Sequence, residues 1–189
     1  PLWDIYMNPM AVKKAILKAD EMDMAIFMCT GDSETVYRHN AYIQREIDVF
    51  GRYNHFYIPL ESEWPALKLE KLMITDPEKP GRLDRILPFF SAHSEELTVV
   101  QYDARHLDVM AKGVGKEKAV KRLAEHLNIP LSDVMAIGDS DNDLEMLLEV
   151  GTGVAVGNAK EHLKEFADFV CEASNTNGVI EAIRRFFVD

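Results

Sequence analysis

GDSDNDLEMLLEVG, residues 138–151, places three aspartates within five positions and follows them at once with an apolar run. Carboxylates about 6 Å apart repel by roughly 3 kcal/mol at an effective dielectric of 20, so a cluster this dense holds something positive or lies open to water. Three readings compete: a calcium loop, a magnesium site at a strand end, and a solvated helix start. The helix-loop-helix calcium pattern needs oxygen ligands at positions 1, 3 and 5, Gly at 6 and Glu at 12. Asp139, Asp141 and Asp143 meet the first three, but Leu144 and Val150 stand where Gly and Glu are required. A helix start accounts for Asp141 and Asp143, because free N–H groups and the helix dipole favour carboxylates there. It leaves Asp139 unexplained, since that residue closes DVMAIGD (133–139), a short apolar run that reads as a buried strand. In parallel α/β sheets ligands gather beyond the carboxyl ends of strands. A carboxylate there, with more one turn later, suits a hard cation such as magnesium.

The flanking sequence sets this strand in a repeating pattern. KEKAVKRLAEHL (116–127) puts Ala119, Val120, Leu123, Ala124 and Leu127 on one helical face, and Pro130 forbids continuation. DLEMLLEVG reads as a helix closed by Gly151, GVAVG (153–157) as a second buried strand, and NAKEHLKEFA as a helix. ADFVCE (167–172) reads as a third strand and NGVIEAIRRFF as a final helix. Strands alternating with helices in this way mean βαβ units and a parallel sheet.

The first half has a different texture. AVKKAILKADEM (11–22) is an amphipathic helix, MAIFMCTG (24–31) a strand, and SETVYRHNAYIQREIDVFG a strand running into a helix. LKLEKLMITD (67–76) is another strand, a helix is expected around RLDRILPFFSAH, and LTVVQYD (97–103) with HLDVMA (106–111) forms a hairpin. This is an antiparallel α+β unit. AKGVG makes a natural hinge, so two domains are expected, 1–110 and 111–189. Trp64 and the Met-rich stretch 22–28 read as packing residues, whereas Arg38, His39 and Asn40 form a polar run open to a specificity role.

KGVGKEK (112–118) carries the second chemical signal. Gly113 and Gly115 permit close backbone approach, and Lys116 falls in the first turn of a helix, where the dipole mildly disfavours a cation. An anion accounts for it: helix N–H groups, a glycine turn and an ammonium together suit phosphate. It is not a Walker loop, because Met110 and Glu117 stand where Gly and Ser or Thr are required. GTGVAVG (151–157) is not a dinucleotide fingerprint either, since its glycines follow a helix and flank a strand.

Composition narrows the classes. The net charge of −11 over 189 residues, without a long basic tract, argues against nucleic acid. Cys29 and Cys171 lie far apart without Cys-x-x-Cys spacing, which fits a reducing cytoplasmic setting. No apolar run approaches the roughly 18 residues of a membrane span. The six histidines show no metal-ligand spacing.

Lys116, then GDSDNDLEML, VAVGNA and NGV in order, resemble the haloacid dehalogenase (HAD)-like hydrolase superfamily, in particular its Cof-type sugar-phosphate phosphatases. The resemblance spans about residues 107–188. It implies an α/β fold: a partial Rossmann-like parallel core with an α+β cap before it. It implies that Lys116 holds the phosphoryl group and nucleophile, Asp139 binds Mg2+, Asn142 contacts the substrate phosphate, and Asp143 orients metal-bound water or Lys116. The implied reaction is hydrolysis of small phosphorylated metabolites, with mutase chemistry open, and the implied partner is that metabolite; a homo-oligomer stays open, and the composition points to no nucleic acid and no membrane. The family's nucleophile motif, Asp-x-Asp-x-Thr at a strand end, does not occur upstream of residue 110; CTGDSE (29–34) lacks the second Asp. Residues 1–189 alone are therefore expected to show no turnover and to bind magnesium poorly. The alternative is a phosphate- or partner-binding module that has lost its nucleophile.

Overall fold

The computed structural model describes residues 2–31, 33–51, 55–78, 80–101 and 103–188. The chain forms two compact units, Pro1–Val114 and Gly115–Asp189.

In the first unit, β1 (Ala25–Thr30), β2 (Ser33–Val36), β3 (Lys71–Thr75), β4 (Leu97–Gln101) and β5 (His106–Ala111) make an antiparallel sheet in the order β2-β1-β3-β5-β4. Period-two alternation sends Ile26, Met28, Leu72, Ile74, Leu107 and Val109 to one face. There they meet Val12, Ala15, Ile16 and Ala19 of helix α1 (Pro9–Glu21), with Trp64 and Phe90. Asn8 starts α1 by accepting the Met10 N–H, and Pro9 takes the first helical position, where no N–H is needed. Ala25, Phe27 and Val36 point to the other face and bury Ile43 of α2 (Ala41–Phe50).

The helix expected around RLDRILPFFSAH is broken, with a 3-10 turn at Arg82–Arg85 and a short α3 at Leu87–Ser91. Pro88 explains the break, since it cannot donate back into a preceding turn. The polar run 38–40 is spent on local structure. Arg38 pairs with Asp20, His39 Nε2 lies 2.7 Å from Gln44 Oε1, and Asn40 caps α2 by accepting the Ile43 N–H at 3.0 Å. CTGDSE forms the β1–β2 connection; Asp32 within it lies outside the described residues.

In the second unit, β6 (Met135–Gly138), β7 (Thr152–Ala155) and β8 (Phe169–Val170) form a parallel sheet in the order β6-β7-β8. Ile137 lies opposite Val154, and Ala155 opposite Val170. Helices α4 (Lys116–Leu127), α5 (Leu144–Glu149), α6 (Glu161–Lys164) and α7 (Asn175–Phe187) complete it. One core gathers Ala136, Leu147, Ala155, Val156 and Leu163, and a smaller one Val154, Cys171 and Ala182. Gly178 lets α7 approach closely: a Cβ there would lie 2.5 Å from the Ala173 carbonyl oxygen and 2.9 Å from Val156.

Three expectations need correction here. The third strand is only Phe169–Val170. Gly151 does not close α5 in the left-handed region; its place is fixed by closeness, since a Cβ would stand 1.9 Å from the Ser132 carbonyl oxygen. On α4, Ala124 is buried and Val120 half-buried, but Leu123 and Leu127 are 42% and 54% exposed. Periodicity identifies an apolar face without identifying what covers it. Among the described residues β6 is paired on one side only, so one edge of this sheet presents unpaired backbone groups beside Asp139.

Candidate functional site

β6 ends at Gly138 and delivers Asp139 just past its carboxyl end. The chain turns sharply there because Ser140 and Asp143 form a reciprocal cap: the Ser140 side chain accepts the Asp143 N–H, and the Asp143 carboxylate accepts the Ser140 N–H. Gly138 is required for this closeness, since a Cβ would sit 2.5 Å from Asp143 Cβ.

Asp143 is 2% exposed. Its Oδ2 accepts the N–H groups of Asp139 at 3.0 Å and Ser140 at 3.2 Å, and its Oδ1 accepts from Lys116 Nζ. Burial pushes this carboxyl up, but the Lys116 hydrogen bond, the two backbone N–H groups and the ammonium charge outweigh it and hold the group below the usual carboxylate range. Lys116 is the first residue of α4, behind an extended Gly115, and its side chain is about half exposed.

The charge account of the aspartate cluster is informative. Asp143 has Lys116, and Asp141 has Lys160 Nζ at 2.6 Å. Asp139 is exposed and has no ion-pair partner among the described residues; its Oδ1 faces only the Ser140 hydroxyl, at 3.3 Å. Of the three carboxylates, the one at the strand end keeps its charge uncompensated. No cluster of three or more His, Cys, Asp or Glu suited to a metal occurs among the described residues. A single hard oxygen ligand still fits magnesium, which commonly takes one or two carboxylates and completes its shell with water and substrate oxygens.

A cleft of about 250 Å³ opens here, lined by Lys116, Gly138, Asp139, Asp143, Val156 and Asn175 among others. It unites three of the four residues singled out in the sequence. The fourth, Asn142, is half-buried in the adjoining turn, with its Oδ1 held by Ser140 Oγ at 2.8 Å. Sequence reasoning missed Ser140 and the pair that holds Asn175 of the cleft lining: Asn158 Nδ2 donates to Asn175 Oδ1 at 3.1 Å, and Asn175 N–H donates to Asn158 Oδ1 at 2.7 Å. Asn175 sits in the left-handed region at φ 52°, which Asn tolerates better than most residues. Its place in the run that opens a helix was the available signal; the cross-loop partner left none. Lys160 adds a backbone tie, its N–H donating to the Asp139 carbonyl at 2.9 Å.

The profile of the haloacid dehalogenase-like hydrolases matches residues 2–183. Phosphatase YwpJ of Bacillus subtilis (strain 168) is 41% identical over 92 residues, 49% of this chain and 32% of that protein. A phosphoglycolate phosphatase of Methanothermobacter thermautotrophicus is 49% identical over 73 residues, 39% of this chain and 33% of its own length. The chain thus spans about a third of the length of these relatives. Among solved structures, TM0651 from Thermotoga maritima aligns with a TM-score of 0.75 at 25% identity, covering 97% of this chain and 68% of that one. The HAD subclass IIB sugar phosphatase BT4131 aligns with a TM-score of 0.76 at 23% identity, covering 98% and 69%, a likeness of fold.

Proposed function

Because the chain belongs to the haloacid dehalogenase-like hydrolases, we propose that it supplies the phosphoryl-binding part of a magnesium-dependent phosphatase of small phosphorylated metabolites, such as sugar phosphates. The observation that carries this reading is one cleft holding an uncompensated Asp139 beside a Lys116–Asp143 pair at a strand's carboxyl end. Relatives named as phosphatases, one of them for phosphoglycolate, support the substrate class.

In this reading Asp139 holds magnesium, which when bound offsets the charge developing on the phosphoryl oxygens. Lys116 donates to a phosphoryl oxygen and draws the nucleophile towards phosphorus. Asp143, ionised and fixed by two backbone N–H groups, aims the ammonium and retains it between turnovers. Asn142 donates its amide protons to the phosphate. The nucleophile is an aspartate outside residues 1–189, carried by a strand that pairs with the open edge of β6, as the unpaired edge beside Asp139 allows. Its carboxylate forms a bond to phosphorus as the ester P–O bond breaks and the leaving alcohol takes a proton from the second aspartate of the same Asp-x-Asp-x-Thr segment, which takes a proton back from the attacking water. Water then attacks phosphorus, releasing phosphate and restoring the carboxylate. The first unit serves as the α+β cap. The phosphorylated metabolite is the partner, a cytoplasmic setting fits the separated cysteines, and no described helix is long and apolar enough to cross a membrane.

The test is phosphate release from a panel of sugar phosphates with magnesium. The product of the complete source gene is expected to turn over and to lose activity in Asp139→Ala, while residues 1–189 alone stay inactive. Robust turnover by residues 1–189, abolished by Asp139→Ala, would place the nucleophile within this chain and sink that part of the reading.

A further inference from the structure

We propose that the Ser140 hydroxyl is a positioning group that sets which way the Asn142 amide faces, turning its NH2 towards the phosphoryl group; this rests on the phosphatase reading above. A serine hydroxyl has one proton to give and two lone pairs to receive. One lone pair of Ser140 Oγ receives the Asp143 N–H in the reciprocal cap, and the hydroxyl proton is left for an acceptor elsewhere. Two acceptors are within reach, Asn142 Oδ1 at 2.8 Å and Asp139 Oδ1 at 3.3 Å. The shorter contact takes the proton.

The consequence falls on Asn142. Rotation about χ2 exchanges the oxygen and the NH2 of an Asn side chain between two similar wells, so an exposed Asn has no strong preference of its own. With its oxygen held by Ser140, both amide protons face away from the turn. Phosphate oxygens only accept, so an amide offering NH2 binds them and an amide offering oxygen repels them. Ser140 therefore selects the binding orientation in advance and leaves nothing to reorganise when the anion arrives. Through the cap and this bond the same hydroxyl links the Asp143 N–H to the Asn142 amide.

The experiment is a titration of 15N-labelled residues 1–189 with inorganic phosphate, followed on the Asn142 side-chain NH2 and the residues around Lys116. Ser140→Gly removes the hydroxyl but keeps a residue well suited to the cap position. Ser140→Thr keeps the hydroxyl. The expected result is a phosphate-dependent shift of the Asn142 NH2 in the wild type, lost in Ser140→Gly together with a roughly fivefold weaker affinity, the factor one net hydrogen bond supplies. Ser140→Thr restores both. An unchanged titration in Ser140→Gly, with Lys116→Ala abolishing binding, would overturn this inference and leave the phosphatase reading standing. No response to phosphate at Lys116 or Asn142 in the wild type would bring down both.

Discussion

Replacing Asp143 by Asn removes one negative charge from the most connected group in the site, and the consequence can be worked out contact by contact. Asp143 is 2% exposed and accepts three hydrogen bonds, from Lys116 and from the backbone N–H groups of Asp139 and Ser140. An Asn keeps one oxygen. If that oxygen serves the two N–H groups, the NH2 is left against the Lys116 ammonium. The two backbone bonds then weaken from charge-assisted to neutral, costing about 0.5–1 kcal/mol each. The Lys116 contact is lost, but the lysine side chain is half exposed and solvent screens the pair, so this adds about 1 kcal/mol at most. The sum is about 1–3 kcal/mol, which in a unit of this size lowers Tm by roughly 5–20 °C. Both tryptophans, Trp3 and Trp64, lie in the first unit, so the second is followed by circular dichroism and by amide exchange at Asp139 and Ser140. The pH dependence gives a second reading with a definite sign. The folded-state carboxyl is held below its ordinary range, so its contribution is present above the unfolded value and disappears as pH falls through the folded one. The amide of Asp143→Asn cannot titrate, so the variant's deficit should shrink on acidification. A deficit under about 0.5 kcal/mol at pH 7, or one that grows as pH falls, would refute this account of the carboxylate.

Lys116→Ala separates binding from stability: phosphate affinity should fall more than about tenfold while unfolding changes by about 1 kcal/mol or less, since the lysine is half exposed; parallel binding and melting measurements check it. Gly138→Ala forces a Cβ to within 2.5 Å of Asp143 Cβ and should cost about 1–3 kcal/mol while exposing the Asp139 and Ser140 amides to exchange. Phe90→Ala empties a fully packed position of the first unit and should cost about 3–5 kcal/mol in denaturant unfolding, seen by tryptophan fluorescence through buried Trp64.

Much of this architecture was legible because local signals agreed with the global fold. The range of α4, Lys116–Leu127, follows from apolar spacing between Gly115 and Pro130, and the strand before Asp139 from its apolar run. Lys116 and Asp139 stand out in the sequence as candidates because each breaks a local preference, a cation at a helix N-terminus and a carboxylate straight after a buried strand, whereas a helix start alone accounts for Asp143 and only the family resemblance singles it out. What escaped the sequence depends on partners remote along the chain. Leu123 and Leu127 obey helical spacing yet stay exposed, because spacing says nothing of a covering element. Gly151 has the look of a helix stop and is instead a point where backbone meets Ser132. Asn175 resembles an ordinary residue at a helix start, and its bond to Asn158 is visible only once the fold brings the two together. Ser140 sits in a motif whose charges dominate its reading, and its hydroxyl contact to Asn142 shows only in the folded turn.

The most direct measurement is a crystal of the product of the complete source gene grown with manganese and tungstate, with both located by anomalous scattering. The account predicts a manganese peak at the Asp139 carboxylate and tungstate oxygens about 3 Å from Lys116 Nζ and Asn142 Nδ2, the span of a hydrogen bond. Tungstate seated elsewhere, for instance against Arg184 and Arg185 of α7, with Asp139 bare of metal, would contradict it.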